Sequence, residues 1–442
     1  QGFMPLVGYN YAARNYQRMR SVSYFSWKVA LLFSACCVAC FAVFAPQILH
    51  LFIPEAETSA LGASFLRIAC LAVPLFTLAG YLMEKGGISK RLVDWVGMLL
   101  GGIRGSLGIV AVVTCTIFAA LTGSGPATVC AIGGILYLPM VQSGYPEKMA
   151  NGLIAAGGSL GPIIPPSIAM IVYASTMGTS ITKMFAGALI PGLVISLTLC
   201  VTVYFQARKY NIPVRKEKHA FKEFLKATVN AFGVLLIPVV VLGGIYGGFV
   251  TTTEAAALAC VMSLILGFLY KELNLKSLLH CLAQTVETSA MVMFIMGAAA
   301  GFTWLLNATQ LPAKLVSAIV PLINGSQFLY LLALFLILLL VGALMDTLTS
   351  VVILAPILIP IGTNLGLDPL HLGVVFCVNL IVGFITPPYG INLFTVCSVT
   401  KTPFNDVVKG VLPYVVVELL CVLLFTFCPF FTTWLPSIVA AS

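Results

Sequence analysis

The chain has 442 residues, of which 60% are hydrophobic and only 8% charged, with a formal net charge of +9. This composition excludes a water-soluble globular protein, because so few charged residues could not cover so large an apolar core. Apolar runs of bilayer-spanning length recur, and the period-2 alternation of a β-barrel is absent, so we predict an all-α polytopic membrane protein. The thirteen cysteines lie mostly in apolar runs, which is typical of small buried hydrophobic residues rather than of a disulfide framework.

The N-terminal region contains a polar, aromatic stretch followed by one apolar run at 29–49. It lacks a basic segment followed by a short apolar core and a small-residue cleavage site, so we expect no signal peptide. Since the chain begins at Gln1, we expect this end to be a fragment edge.

A helical hairpin is predicted over residues 106–142. Two apolar arms flank Thr122-Gly-Ser-Gly-Pro126, and arms of about fifteen residues at 1.5 Å per residue are too short to cross a bilayer comfortably. We therefore expect a re-entrant hairpin, whose tip exposes carbonyls and hydroxyls only where the backbone lines a cavity. The alternative is that the small residues serve close helix packing.

A broken helix is predicted over residues 150–175. Its centre reads Gly161-Pro-Ile-Ile-Pro-Pro-Ser167. Each proline removes an amide donor and clashes with the preceding turn, so adjacent prolines predict an unwound stretch rather than a simple kink.

The segment 207–229 is the one long polar stretch of the chain. Seven of the 23 basic residues lie between Arg208 and Lys226, which indicates a cytoplasmic loop by the positive-inside rule. Its Lys222-Glu-Phe-Leu-Lys226 portion is typical of a short interfacial helix.

A second hairpin is predicted over 328–364 and a second broken helix over 370–400. The hairpin tip reads Met345-Asp-Thr-Leu-Thr-Ser350 and the break reads Thr386-Pro-Pro-Tyr-Gly-Ile-Asn392. An ionisable group such as Asp346 at membrane depth indicates a functional site. The alternative is that Asp346 is an ordinary helix N-cap at the membrane surface.

These elements repeat at an offset of 222 residues, since Leu121–Tyr173 aligns with Ala343–Thr395 and the two proline pairs coincide. The similarity weakens upstream and ends before about residue 74. Matched helix interruptions in two inverted repeats are the best sequence indication of a secondary transporter's binding site. Hydroxyls and freed carbonyls at such interruptions are hard oxygen ligands suited to sodium. The sequence therefore predicts repeats at 74–206 and 230–442, joined by the loop 207–229.

From Pro74 to about Pro436 the chain resembles the large membrane subunit of tripartite ATP-independent periplasmic (TRAP) transporters. Beyond the two breaks and the first tip, the resemblance rests on 74–83, 86–92 and 244–255. It implies an elevator-type importer of an organic acid, such as a dicarboxylate or sugar acid, driven by sodium in a bacterial inner membrane. A periplasmic substrate-binding protein and a small membrane subunit are the implied partners.

The implied substrate and ion site combines both repeats. From the first repeat it takes Ser124, Gly125, Thr128, Pro165, Pro166 and Ser167, and from the second Asp346, Thr349, Ser350, Thr386, Pro387, Pro388, Gly390 and Asn392. Sodium is expected at Ser124, Gly125, Asp346, Thr349 and Thr386.

Residues 1–73 are similar to a fragment of a multidrug and toxic compound extrusion (MATE) exporter instead. The matching residues include Tyr9-Asn-Tyr-Ala-Ala-Arg14, Phe44-Ala-Pro46 and Phe65-Leu-Arg-Ile68. A fusion is therefore expected, and a MATE-like exporter or a transport-inactive protein stays an alternative. Neither a Walker A loop nor a hydrolase motif is present, so we expect neither an enzyme nor a cofactor other than the coupling ion, and no nucleic-acid partner.

Overall fold

The computed structural model describes residues 56–100, 102–214 and 221–439, together with Phe44 and Gln47. Every regular element in these residues is helical. Nine described helical segments, one of them the interrupted stretch Glu147–Met177, are long and apolar enough to cross a membrane. The predicted all-α polytopic membrane protein is thereby confirmed. Most of the segment with the MATE resemblance lies outside the described residues.

The first half contains seven helices between Ala56 and Lys209. They are α1 (Ala56–Lys85), α2 (Ile88–Leu99), α3 (Ser106–Thr122), α4 (Gly125–Gln142, with a π-helical turn at Val129–Gly133), α5 (Glu147–Ile163), α6 (Ile168–Met177) and α7 (Ile181–Lys209).

The second half contains ten helices. They are α8 (Phe221–Tyr246), α9 (Thr252–Leu269), α10 (Leu275–Ala308), α11 (Leu311–Leu322), α12 (Gln327–Leu344), α13 (Thr347–Asn364), α14 (Pro369–Val382, continued by a 3-10 turn at Gly383–Ile385), α15 (Ile391–Thr400), α16 (Phe404–Phe427) and α17 (Phe430–Val439).

Both predicted hairpins and both broken helices are present. Helices α3 and α4 form the first hairpin and α12 and α13 the second, while α5–α6 and α14–α15 are the broken helices. The arms α4, α12 and α13 have 18 residues each, a length of about 27 Å at 1.5 Å per residue. That is slightly less than the roughly 30 Å hydrocarbon core of a bilayer.

The helix boundaries repeat at the same offset of 222 residues, and they do so further upstream than the sequence similarity. Shifted by this offset, α1 falls inside α10, and α2 differs from α11 by one residue at each end. The helix pattern thus extends upstream of residue 74, where the sequence similarity ends. Apolar residues replace one another freely in a spanning helix, so helix length outlasts sequence similarity.

The predicted boundary at residue 74 lies within a continuous helix. Helix α1 runs from Ala56 to Lys85 with Pro74 inside it. The basic loop is also shorter than predicted, because α7 continues to Lys209 and α8 begins at Phe221. Residues 222–226, expected as a separate interfacial helix, form the first turns of α8 instead.

The core of the fold is built around the first halves of the two broken helices. Every residue of α5 from Met149 to Ile163 is buried, and so is every residue of α14 from His371 to Val382. Glycine permits the close packing of α5 against α16, since a Cβ at Gly152 would collide with the backbone of Gly410. Small residues at such crossings are typical of membrane helices. A second group of helices, α1, α2, α8, α9 and α10, packs mutually and also contacts the first half of the fold. A Cβ at Gly80 of α1 would lie 3.2 Å from the carbonyl oxygen of Thr122 at the first tip.

Candidate functional site

The first hairpin tip packs directly on the first break. Helix α3 ends at Gly123, which adopts a left-handed conformation with φ of 61°. A Cβ at Gly123 would collide with the carbonyl oxygen of Pro166, and one at Gly161 would lie 2.5 Å from the carbonyl oxygen of Ser124. Ser124 is half-buried and Ser167 is buried, so the tip and the break meet inside the protein.

The second hairpin tip packs on the second break in the same way. The Tyr389 amide donates to the carbonyl of Ala343 over 3.2 Å, and a Cβ at Gly383 would collide with the backbone of Gly342. This half is more open than the first, because Met345 and Tyr389 are 41% and 46% exposed. In contrast, Ile164 to Ser167 of the first break are all buried.

The two tips share one hydrogen-bond arrangement. The Thr128 hydroxyl donates to the carbonyl of Ser124 over 2.8 Å, and the Ser350 hydroxyl donates to the carbonyl of Asp346 over the same 2.8 Å. Both hydroxyl-bearing residues are buried. The structure therefore extends the sequence pairing of Thr128 with Ser350 to the orientation of the tip carbonyls.

Asp346 is the N-cap of α13. Its Oδ2 accepts from the Leu348 amide at 3.0 Å and the Thr349 amide at 3.2 Å, and lies 3.4 Å from the Thr349 hydroxyl. The capping alternative is thus correct for its local geometry. All hydrogen bonds described for this carboxylate come from its own helix, so a role in ion binding stays a prediction.

Asn392 connects the two repeats. This side chain is fully buried at the start of α15, and its amide nitrogen donates to the Ala155 carbonyl on α5 over 3.3 Å. Its Oδ1 has no hydrogen-bond partner among the described residues, and it lies 2.8 Å from where a Cβ on Gly125 would be. The orientation of an amide is assigned from its contacts. The geometry leaves one polar group of Asn392 directed at the first tip.

The remaining predicted residues lie in these same two breaks. Pro165 and Pro166 are buried, while Pro387 is half-buried and Pro388 exposed. The Thr386 hydroxyl donates to the Val382 carbonyl over 2.9 Å, and Gly390 has a positive φ of 29°. The peptide bonds Pro165–Pro166 and Pro387–Pro388 are both cis. No described hydrogen bond joins Thr386 to Thr349 or Asp346 to Ser124, so the five residues expected to bind sodium do not form one hydrogen-bonded group.

Helix ends of both polarities meet at the tips and breaks. Helices α3, α5, α12 and α14 approach with their C-terminal ends, and α4, α6, α13 and α15 leave with their N-terminal ends. C-terminal ends favour cations and N-terminal ends favour anions. The segments 122–128, 161–168, 343–350 and 383–392 contain one acidic residue, Asp346, and no basic residue. The arrangement can therefore hold a cation and an anion side by side.

Sequence reasoning missed several buried polar residues around this centre. Asn379 donates to the Phe335 carbonyl over 3.0 Å and holds α14 against α12, and Glu418 on α16 contacts Ser159 on α5. The available signal was a single polar residue inside an otherwise apolar run. No group of three or more metal-ligating His, Cys, Asp or Glu residues occurs in the described ranges.

A cavity of about 560 Å³ lies at the base of the first hairpin, away from its tip. It is bounded by α2, α3, α4 and the beginning of α8, and its charged lining includes Arg91, Asp94 and Lys226. The start of α8 follows the basic segment that the positive-inside rule assigns to the cytoplasm. The cavity therefore lies beside the first hairpin, next to α2 and α8, on the predicted cytoplasmic side.

Comparison with known proteins identifies a family. Residues 25–431 match the model described as tripartite ATP-independent periplasmic transporter, DctM component. The match begins upstream of residue 74 and includes part of the segment with the MATE resemblance, for which the comparisons provide no support.

Two relatives illustrate the match. The C4-dicarboxylate TRAP transporter large permease protein DctM of Pseudomonas aeruginosa is 39% identical over 368 residues, covering 83% of this chain and 86% of the relative. The 2,3-diketo-L-gulonate TRAP transporter large permease protein YiaN of Escherichia coli is 37% identical over 375 residues, covering 85% of this chain and 87% of the relative.

A solved structure shares the fold. The YdaH transporter of Alcanivorax borkumensis, described as having an unusual topology, superimposes with a TM-score of 0.61 at 14% sequence identity, covering 93% of this chain and 98% of that one. At this identity the likeness concerns the fold alone.

Proposed function

The chain belongs to the DctM family, the large permease component of tripartite ATP-independent periplasmic transporters, and on this premise we propose that it imports an organic acid together with sodium. The family is one of transporter permeases and not of enzymes. C4-dicarboxylate and 2,3-diketo-L-gulonate, named for the two relatives, are both organic acids and support a dicarboxylate or sugar acid as the solute.

The charge of the paired tips and breaks carries the proposal. An organic acid entering this site meets Asp346, which is the only charged residue of the four segments. Two negative charges in a site of low polarity repel each other strongly. A bound cation removes this repulsion, so the acid and sodium bind best together.

The ligands for both partners are available at the site. The Ser124 hydroxyl and the Asp346 carboxylate at the two tips are hard oxygen donors of the kind that sodium requires. The tip carbonyls accept from the amides and hydroxyls of Thr128 and Ser350. The N-terminal ends of α6 and α15 and the Asn392 side chain face the same region and suit a carboxylate.

An elevator movement is supported by the grouping of the helices. The hairpins and broken helices pack together, the outer helices pack mutually while also contacting them, and a cavity of about 560 Å³ lies beside the first hairpin next to α2 and α8. In the proposed cycle the hairpins, breaks and solute move as one body past α1, α2, α8, α9 and α10. These outer helices remain in the membrane as the scaffold.

The proposed partners follow from the family. A periplasmic substrate-binding protein delivers the acid, and a small membrane subunit supports the scaffold in a bacterial inner membrane. The tripartite name of the family supports this assembly.

The test is uptake of radiolabelled organic acids into proteoliposomes that contain the chain, the small subunit and the binding protein. We expect accumulation only with an inward sodium gradient. The double variant Ser124→Ala with Asp346→Ala should abolish it while the protein remains folded, because it removes donors from both tips. Sodium-independent uptake, or full activity of the double variant, would disprove the proposed mechanism.

A further inference from the structure

Helix α16 carries a completely buried carboxyl group next to the central helix α5. Glu418 is 0% exposed, and its Oε1 lies 2.8 Å from the hydroxyl of Ser159. Its Oε2 has no hydrogen-bond partner among the described residues. An ionisable side chain at membrane depth is costly when charged and unpaired, and it indicates a functional site by default.

The helices packed against α16 offer no cation to pair with Glu418. Three of them, α12, α15 and α17, contain no charged residue, and the others are α5, α7 and α14. Cationic side chains of these helices and of α16 lie near helix ends, namely Lys148, Lys183, Arg208, Lys209 and Lys409. Lys148 pairs with Asp406 over 3.2 Å at the beginning of α16.

Titratable groups on α16 and on the adjacent helix α14 have other partners. His371 on α14 is bonded to the Thr432 hydroxyl and the Thr426 carbonyl. On α16 itself, the Tyr414 hydroxyl donates to Gln206 over 2.8 Å, and Cys421 is hydrogen-bonded to Thr198. The described surroundings thus supply no positive charge for a Glu418 carboxylate.

The two contacts of the Ser159 hydroxyl bear on the protonation state of Glu418. The Ser159 oxygen lies 2.7 Å from the Ala156 carbonyl and 2.8 Å from Glu418 Oε1. A serine hydroxyl has one hydrogen to donate, and a carbonyl can only accept. Both contacts are satisfied together only when Ser159 donates to Ala156 and a protonated Glu418 donates to Ser159. Oε2 is then the carbonyl oxygen of a neutral acid, whose desolvation costs far less than that of an anion.

We propose that Glu418 is a proton-binding site and that one proton crosses the membrane with each organic acid, in addition to sodium. This inference rests on the proposed function. The proton enters from the aqueous phase on the side where the solute binds, resides on Glu418 during the crossing, and leaves to water on the opposite side. No bond other than the O–H bond forms or breaks.

The position of Ser159 links this proton to the solute site. A Cβ added at the neighbouring Gly158 would lie 2.8 Å from the amide nitrogen of Asn392. One added at Gly161 would lie 2.5 Å from the carbonyl oxygen of Ser124. A proton lost from Glu418 would leave an anion between α5 and α16, which requires water or a displacement of α5. The packing of α5 against α16 around the fully buried Glu418 therefore favours the protonated form.

The experiment measures steady-state accumulation of the organic acid in proteoliposomes of the complete complex, with and without a pH gradient, at a fixed sodium gradient. Coupling to one proton changes the accumulation ratio by up to about tenfold per unit of pH gradient. We expect this change in the wild type, together with acidification reported by a pH-sensitive dye inside the vesicles. Glu418→Gln, which preserves the neutral shape, should lose the pH-gradient effect and retain solute exchange at equal concentrations.

The control is Glu147→Gln, on the exposed first turn of α5, which should behave as the wild type. Two results would overturn the proton site alone. One is sodium-driven accumulation by the wild type that does not change with the pH gradient, and the other is an effect of the pH gradient on accumulation that persists in Glu418→Gln. Absence of sodium-driven accumulation without any pH gradient would overturn the proposed function instead.

A second variant covers the case in which Glu418→Gln does not fold. Ser159→Ala removes the hydroxyl that accepts a hydrogen bond from the protonated Glu418, and it retains the carboxyl group of Glu418. The pH for half-maximal accumulation should shift, while the sodium concentration for half-maximal uptake stays within about twofold of the wild type. An unchanged pH profile would contradict the proposal.

Discussion

At the scale of single residues, Asn392 has the most informative environment. Its amide nitrogen is bonded to a carbonyl 237 positions away, while its buried oxygen faces the first tip without a partner. A buried polar atom without a partner is costly in a folded protein. In a transporter this atom suits a ligand that arrives and leaves.

Asn392→Ala should reduce uptake at least tenfold and destabilise the protein by about 1–3 kcal/mol, because the Ala155 carbonyl loses its side-chain donor and the site loses the amide oxygen. Uptake kinetics and thermal unfolding in detergent measure the two effects. Asn364→Ala is the control, since Asn364 is exposed at the end of α13. Equal uptake by the two variants would exclude Asn392 from the site.

At the scale of elements, glycines determine how closely tips and breaks approach. Gly342 in α12 has no room for a side chain, because a Cβ would lie 2.9 Å from the carbonyl oxygen of Leu380 on α14. Gly297, also within a helix, has no atom within 4 Å of such a Cβ. The two residues form a matched pair for substitution.

Gly342→Ala should displace α12 from the second break, destabilising the protein by about 1–3 kcal/mol as overpacking does, and should impair uptake. Gly297→Ala should be neutral or stabilising by up to about 1 kcal/mol, because alanine has the higher helix propensity. Thermal unfolding and sodium-driven uptake of both variants measure the difference. If Gly342→Ala is as stable and active as Gly297→Ala, the close packing of tip and break is not required.

At the scale of the whole molecule, the repeat extends from α1 to α7 and from α10 to α16 at one offset. Corresponding positions therefore share local geometry, as the hydroxyls of Thr128 and Ser350 illustrate at the two tips. The halves nevertheless differ in exposure, since the second break is open at Tyr389 and the first is buried.

Thr128→Val and Ser350→Ala should each raise the sodium concentration for half-maximal uptake by a similar factor, about 2- to 12-fold. That range corresponds to the roughly 0.5–1.5 kcal/mol of one hydrogen bond. Ser398→Ala is the control, because its hydroxyl donates to the Phe394 carbonyl within an exposed helix turn. Sodium titration of uptake distinguishes the cases, and a shift in only one of the two tip variants would contradict equivalent roles.

Most of the architecture could be predicted because it depends on local chemistry. The proline pairs interrupt α5–α6 and α14–α15 because proline lacks an amide hydrogen and clashes with the preceding turn. Gly123 ends α3 because glycine adopts a left-handed conformation readily. The correspondence of the helices upstream of residue 74 could not be predicted, because spanning helices tolerate exchange among apolar residues, and α1 and α10 correspond mainly in their positions along the chain.

The number and kind of the interruptions, the membrane setting and the twofold repeat therefore follow from the amino-acid order, since backbone sterics and hydrophobicity act within a few residues. Which polar groups meet does not follow from it. Asn392 finds Ala155 across 237 residues and Glu418 finds Ser159 across 259, and such encounters depend on how helices pack. A buried polar side chain must satisfy its hydrogen bonds wherever the packing places it, so the partners of Asn392 and Glu418 became known only from the folded molecule.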